Sequence, residues 1–220
     1  MIQLGIEPHI AVATNMLALI FLSAGGFTSF WKTAMVLRRE LPLMTTLTVG
    51  GSVVGALLLT KVPIRFLQVV IAFAMIAVAV FSVVKRDIGM TRNQTPILMR
   101  RAFVGYVLTL ALAVYGGFFS GGYVTMLTAV FAVFFHMTFV ESIAATKLMN
   151  LFSSVVAVSI FARRGIVDWK LGLILGAAMF LGGLSGGMIA LKMNVAWLRR
   201  VFIIAVLALA ARMLFVALSA

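Results

Sequence analysis

The sequence of 220 residues contains no cysteine and only five acidic residues. Without cysteine, the chain has no disulfide bond, no thiolate metal ligand and no cysteine nucleophile. It also lacks a Gly-x-x-x-x-Gly-Lys-Ser/Thr phosphate loop and a His-Glu-x-x-His motif, which excludes the common equipment for ATP hydrolysis and zinc proteolysis. The sequence therefore predicts a protein that is not an enzyme and that holds no metal or other cofactor.

Charge is scarce as well. Only 10% of the residues are charged and 64% are hydrophobic, whereas roughly 25% of the residues in soluble domains are charged. At about 20 residues per span, such a chain supplies seven or eight transmembrane helices and leaves almost nothing for a soluble domain. The net charge of +13 then indicates loops that face membrane lipid rather than a surface for nucleic acid.

Seven long apolar runs are separated by basic loops, and an eighth apolar stretch is shorter. The long runs cover about residues 10–30, 43–60, 66–84, 101–119, 139–162, 171–191 and 201–219. The short stretch, residues 123–135, cannot cross about 30 Å of hydrocarbon as a helix. The sequence predicts an all-α polytopic membrane helix bundle with about seven spans and one half-helix or re-entrant segment.

The longest polar stretch divides the chain into two parts. Residues 85–100 contain Asp87, Gly89, Asn93 and Pro96, which stop helices, together with several basic residues. We interpret this stretch as a cytoplasmic loop that connects residues 1–84 to residues 101–220.

The distribution of basic residues leaves the topology of residues 101–135 open. Whether this segment crosses the membrane once or enters and returns, the predicted cytoplasmic loops hold eleven basic residues and the outer loops five. Both arrangements satisfy the positive-inside rule. Two loops exchange sides between these topologies. The first contains Arg163, Arg164 and Lys170, and the second contains Lys192, Arg199 and Arg200.

The two parts of the chain are weakly similar to each other. A shift of 132 residues places Ala13-Thr14 on Ala145-Thr146, Gly50-Gly51 on Gly182-Gly183, and Gly55 on Gly187. We therefore predict that residues 8–84 and 140–215 are copies of one repeat. Only the second copy is preceded by a glycine-rich helix, so we expect the first copy to be truncated at its N-terminus.

Glycines are densest in the segment before the second copy. Gly116, Gly117, Gly121 and Gly122 surround Ser120, and each glycine weakens a helix by about 1 kcal/mol relative to alanine. In transporters, half-helix ends beside such breaks hold the substrate. The alternative is that these glycines only permit close helix packing. Packing is the favoured interpretation for Gly182, Gly183, Gly186 and Gly187, which are spaced by four.

A lysine is predicted to lie deep within the fifth long run. Thr138 and Glu141 have the form of a capping box, so a helix should begin near Phe139. Lys147 then lies about 12 Å along that helix, where its charge requires a cavity or a partner. Thr146 and Asn150 lie beside it. Together these residues offer a cation and several hydrogen-bond donors to an anion, unless Lys147 extends to the interface as a structural residue.

Further candidates come from the repeat and from titratable groups. Thr14 and Asn15 correspond to Thr146 and Lys147 in the shifted alignment. Glu141 and His136 are candidates for carrying a coupling proton. Asp168 before Trp169 is expected to start a helix.

These motifs together resemble a known family. Its signature here consists of residues 116–122 (Gly-Gly-Phe-Phe-Ser-Gly-Gly), residues 145–147 (Ala-Thr-Lys), residues 163–169 (Arg-Arg-Gly-Ile-Val-Asp-Trp) and residues 182–187 (Gly-Gly-Leu-Ser-Gly-Gly). In this order and spacing they are similar to the sulfite exporter TauE/SafE permeases, which are duplicated bacterial inner-membrane proteins.

The resemblance implies a multi-pass inner-membrane protein that transports sulfite, sulfonates or other small organic anions by alternating access. The first glycine-rich helix of the family is absent from this chain. A truncated membrane protein without transport activity, or an assembly partner, is therefore the alternative, and the oligomeric state is left open, a homo-oligomer included.

Overall fold

The computed structural model describes residues 7–36, 41–61 and 98–194, together with residues 197, 200 and 204, and these are helical with short connections. The six helices are α1 (Pro8–Val36), α2 (Leu41–Leu59), α3 (Met99–Phe118), α4 (Tyr123–Phe134), α5 (Phe139–Arg163) and α6 (Trp169–Lys192). The predicted all-α class is thus confirmed. The runs predicted at residues 66–84 and 201–219 lie outside the described residues.

Five of these helices are long and apolar enough to cross a membrane, namely all except α4. Each coincides with a predicted apolar run to within a few residues at its ends, except that α1 continues to Val36. The 12 residues of α4 extend for about 18 Å, so this helix cannot span the bilayer alone. The protein is therefore a multi-pass helical membrane protein.

Helices α5 and α6 begin where side chains satisfy free backbone N–H groups. The Thr138 hydroxyl accepts from the N–H of Glu141 at 3.2 Å, and the Glu141 carboxylate accepts from the N–H of Thr138 at 2.8 Å. The Asp168 carboxylate accepts from the N–H of Leu171 at 3.0 Å and caps α6. The predicted capping box and the predicted start of α6 are both confirmed.

The predicted break within residues 101–135 is also present. Helix α3 ends at Phe118, and Gly122 precedes α4 with a φ of 78°, a left-handed conformation that glycine adopts without a steric penalty. The Tyr115 hydroxyl donates to the carbonyl of Gly121 at 2.5 Å and closes the turn. The carbonyls of Ser120 and Gly121 thus find partners within the protein, as a break at membrane depth requires.

Helix α4 runs back along α3. A Cβ on Gly116 would contact the ring of Tyr123 at 2.8 Å, and one on Gly105 would contact the ring of Phe135 at 2.8 Å. Near the open end of the hairpin, the Arg101 guanidinium donates to the carbonyl of Val133 at 2.5 Å. Residues 101–135 therefore enter and return, which selects one of the two topologies that the charge count allows.

Helix α5 lies at the centre of the bundle, in contact with α1, α2, α3 and α4, while α6 packs on α1. The pairs Thr48–Met149 and Ser52–Ser153 show that α2 and α5 run parallel. The pairs Gly26–Lys147 and Ser23–Asn150 show that α1 and α5 run antiparallel. The parallel course of α2 and α5 agrees with a hairpin that returns the chain to the side from which α3 started.

Glycines allow two helix pairs to approach closely. On α2, Gly55 faces the backbone of α3 at Val114 and Phe118. On α6, Gly183 faces the backbone of α1 at Leu22, and Gly187 faces Ser29. The packing role predicted for Gly183 and Gly187 is confirmed. Among the described residues nothing lies within 4 Å of a Cβ at Gly182 or Gly186, so packing at these two glycines stays a prediction.

Candidate functional site

The polar side chains of α5 form two stripes on neighbouring faces of this central helix. Stripe A consists of Lys147, Asn150 and Ser154, and stripe B consists of Ser142, Thr146, Met149 and Ser153. The two stripes are roughly 100° apart around the axis at 3.6 residues per turn. Every one of these side chains is buried except Lys147, which is half-buried.

Stripe A faces α1. The Asn150 amide donates to the Ser23 hydroxyl at 2.6 Å, and both residues are buried. One turn earlier on α5, a Cβ on Gly26 would lie 3.1 Å from Lys147 Cδ and 3.2 Å from Cε. The absence of a side chain at Gly26 therefore makes the space in which the Lys147 stem lies.

The charge of Lys147 has no counter-ion in the described part of the chain. Of the acidic residues described there, Glu7 and Asp168 are exposed and Glu141 is held in the capping box. The only ion pair found among the described residues joins His9 to Glu7. A cation at this depth that is not matched by a carboxylate gives the interior a positive potential, which favours an anion.

The glycine-rich break lies against α2. A Cβ on Gly117 would meet the backbone of Ser52, and a Cβ on Gly121 would meet the ring of Phe119. The carbonyl of Ser120 accepts from the N–H of Tyr123 at 3.2 Å. In the described part of the chain no hydrogen bond joins residues 116–122 to Lys147.

Stripe B faces α2 and α4. The Thr146 hydroxyl lies 3.0 Å from the Thr128 hydroxyl of α4 and also bonds to the carbonyl of Ser142. The Thr48 hydroxyl lies 3.4 Å from the sulfur of Met149. One turn further, the Ser52 hydroxyl donates to the Ser153 hydroxyl at 2.7 Å. Thr146 therefore takes part in helix packing, apart from any contact with a substrate.

Thr14 and Asn15 lie near the opposite end of the bundle. The Thr14 hydroxyl accepts from the N–H of Asp168 at 3.1 Å and connects α1 to the start of α6. Thr14 is separated from Ser23 by about 14 Å along α1 at 1.5 Å per residue. The structure therefore does not bring Thr14 and Asn15 into one cluster with Lys147.

The two candidates for proton transfer differ in their surroundings. The Glu141 carboxylate is occupied by the capping box. His136 has a positive φ of 55°, and both of its ring nitrogens are buried without a hydrogen-bond partner in the described part of the chain. A coupling role for either residue stays a prediction.

Several polar residues of the site were not predicted from the sequence. Their positions are Ser23 on α1, Thr48 and Ser52 on α2, and Thr128 on α4, and all are buried. The spacing of Thr48, Gly51, Ser52 and Gly55 at i, i+3, i+4 and i+7 marks one small, polar face in an otherwise apolar span. That face is the signal from which Thr48 and Ser52 could have been found.

One segment of α6 matches a hydrolase motif by letter only. Residues 183–187 read Gly-x-Ser-x-Gly, a pattern that in hydrolases forms a sharp turn between a strand and a helix. Here these residues lie within a continuous helix, and the Ser185 hydroxyl donates to the carbonyl of Leu181 at 2.7 Å. The serine is therefore not presented as a nucleophile.

A bundle of membrane-spanning helices, with a half-helix that ends inside it and a polar interior, has the architecture of secondary transporters. The chain matches the family model for the sulfite exporter TauE/SafE over residues 1–213. It belongs to this family of membrane transporters, as its motifs predicted.

The relatives of the chain carry names of the same kind. It is 31% identical to the probable membrane transporter protein ORF9 of a Sinorhizobium species, over 97% of this chain and 81% of that protein. It is 23% identical to the probable membrane transporter protein YfcA of Escherichia coli, over 96% of this chain and 78% of that protein. A probable membrane transporter protein of Haemophilus influenzae is 20% identical, over 98% and 84% of the two chains. No solved structure matches the chain.

Proposed function

We propose that this protein is a secondary transporter that carries small sulfur-containing or organic anions, such as sulfite and sulfonates, across the bacterial inner membrane by alternating access. The observation that carries this proposal is the half-buried Lys147, which has no carboxylate partner among the described residues. A lysine that deep is costly in lipid and marks a pathway for a solute or an ion. The sulfur chemistry of the solute is taken from the family.

Stripe A supplies the groups that a sulfonate or sulfite group would require. Lys147 offers a point charge, the Asn150 amide is a donor, and the buried Ser154 hydroxyl has no partner in the described part of the chain. Two oxygens of one anion could bond to Lys147 and Asn150, which lie one turn apart on one face of α5. Ser154 lies about 10 Å beyond Lys147 along the helix and could bind the solute at another point of its path. The interface between α1 and α5 lies between the two predicted repeats, and substrates of transporters with such repeats bind at the repeat interface.

The test is uptake of radiolabelled sulfite and of a small alkyl sulfonate by proteoliposomes. Lys147→Met keeps the length and apolar volume of the side chain and removes its charge. We expect uptake to fall roughly tenfold or more, because a hydrogen bond to a charged group is lost. Lys170→Met is the matched control, since Lys170 is exposed at the start of α6. Normal uptake by Lys147→Met would contradict the proposal.

A further inference from the structure

Stripe B carries no charge, in contrast to stripe A, which contains Lys147. Its side chains are hydroxyls and a thioether. We propose that Na⁺ binds here, between the Ser52 and Ser153 hydroxyls at the C-terminal end of α3, and that a Na⁺ gradient drives transport. The driving role rests on the transport function proposed above, whereas the binding of Na⁺ does not.

The two serine hydroxyls can turn their lone pairs towards one ion. Ser52 Oγ lies 2.7 Å from Ser153 Oγ and 3.4 Å from the carbonyl oxygen of Ala113. The Ser52 proton therefore has a second acceptor within reach. When it points to Ala113, both hydroxyl oxygens have lone pairs available on the side where they face each other.

The end of α3 gives the serine pair a favourable potential. Gly117 lies directly against the backbone of Ser52, so the last turn of α3 borders the serine pair. In that turn the carbonyl of Tyr115 accepts a hydrogen bond from the N–H of Phe119 at 2.6 Å. The carbonyl groups that follow it have no partner within the helix. The C-terminus of a helix carries about half a negative charge, and in transporters such ends coordinate Na⁺.

The ligand atoms available here distinguish Na⁺ from other coupling ions. Ca²⁺ and Mg²⁺ require carboxylates, and the described residues contain no cluster of three or more His, Cys, Asp or Glu side chains. The hydroxyls and the thioether of stripe B do not exchange a proton at neutral pH. Lys147, which lies well inside its helix, belongs to stripe A and faces α1.

The experiment measures the binding of Na⁺ apart from transport. The purified protein in detergent is titrated with NaCl, and with KCl at the same ionic strength, and its unfolding temperature is followed. We expect stabilisation by Na⁺ and not by K⁺. In Ser52→Ala and in Ser153→Ala, the half-saturating Na⁺ concentration should rise roughly tenfold or more, because a ligand to a charge is lost.

The matched control is Thr109→Ala. Thr109 is also a buried hydroxyl on a helix of this region, but it donates to the carbonyl of Gly105 in its own helix at 2.8 Å. This variant should keep the response to Na⁺. If the wild type is not stabilised by Na⁺ more than by K⁺, or if both serine variants keep the response, the site is refuted.

Transport assays separate this proposal from the previous one. Sulfonate uptake should accelerate when an inward Na⁺ gradient is imposed. Uptake that depends on Lys147 but not on Na⁺ would refute the role of Na⁺ and leave the anion transporter standing. Stabilisation by Na⁺ that is lost in both serine variants, in a protein that carries no sulfonate, would support the Na⁺ site and refute the anion as substrate.

Discussion

Gly182 and Gly183 are adjacent in α6 and differ in what surrounds them. A Cβ on Gly183 would meet the carbonyl of Leu22, whereas one on Gly182 would meet nothing within 4 Å among the described residues. Gly183→Ala should lower the stability by about 1–3 kcal/mol through overpacking. Gly182→Ala should raise it by about 1 kcal/mol through helix propensity. Unfolding temperatures of the two variants in one detergent would show shifts of opposite sign, and equal shifts would contradict the packing of α6 on α1.

The depth of Lys147 could be predicted because it depends on local sequence alone. The capping box fixes the start of α5, and the rise per residue then gives the position of the lysine. Its contact with Gly26 could not be predicted in the same way. That contact depends on which helix lies beside α5, and neither periodicity nor capping carries this information. The same holds for the pair formed by Ser23 and Asn150.

Two left-handed glycines test the role of the hairpin formed by α3 and α4. Gly122 has a φ of 78° at the start of α4, and Gly165 has a φ of 69° in the loop before α6. Alanine at either position should cost about 1–2 kcal/mol, because a Cβ disfavours this conformation. We expect Gly122→Ala to reduce sulfonate uptake as well, whereas Gly165→Ala should leave uptake unchanged at equal protein level. Equal uptake by the two variants would show that the break between α3 and α4 has no specific role in transport.

The break between α3 and α4 followed from the density of its glycines, but the direction of α4 after the break did not. Both topologies placed eleven basic residues on one side and five on the other. The direction is determined by tertiary contacts, including those of Gly116 with Tyr123 and of Arg101 with Val133. Side-chain contacts of this kind leave no trace in hydropathy or in the charge of the loops.

The parallel course of α2 and α5 predicts that their C-terminal ends lie on one side of the membrane. The natural absence of cysteine makes single cysteines specific labels. Lys61→Cys and Gly165→Cys should react with a membrane-impermeant maleimide added to intact cells. The positive-inside rule places the loop of residue 61 outside, and the parallel course of α2 and α5 places that of residue 165 on the same side. Lys192→Cys should react only after permeabilisation. Labelling of residues 61 and 165 from opposite sides would contradict the hairpin.

The duplication of the whole molecule stays a prediction, although the arrangement of the helices supports it. In the predicted repeats α1 corresponds to α5, and α2 corresponds to α6. Helix α1 runs antiparallel to α5. The contact of α1 with α6 has its counterpart in the contact of α5 with α2. Low identity between apolar helices hides such symmetry in the sequence, since one apolar residue replaces another at little cost.

The short length of α4 also constrains how the protein is made. Its hydroxyl at Thr128 lies 3.0 Å from that of Thr146, and Thr146 is synthesised after α4. Because α4 is too short to span the bilayer, it cannot be retained by lipid as an ordinary transmembrane segment. Its position therefore depends on its contacts with α3 and α5, and the packing around α4 can be complete only after α5 has been synthesised.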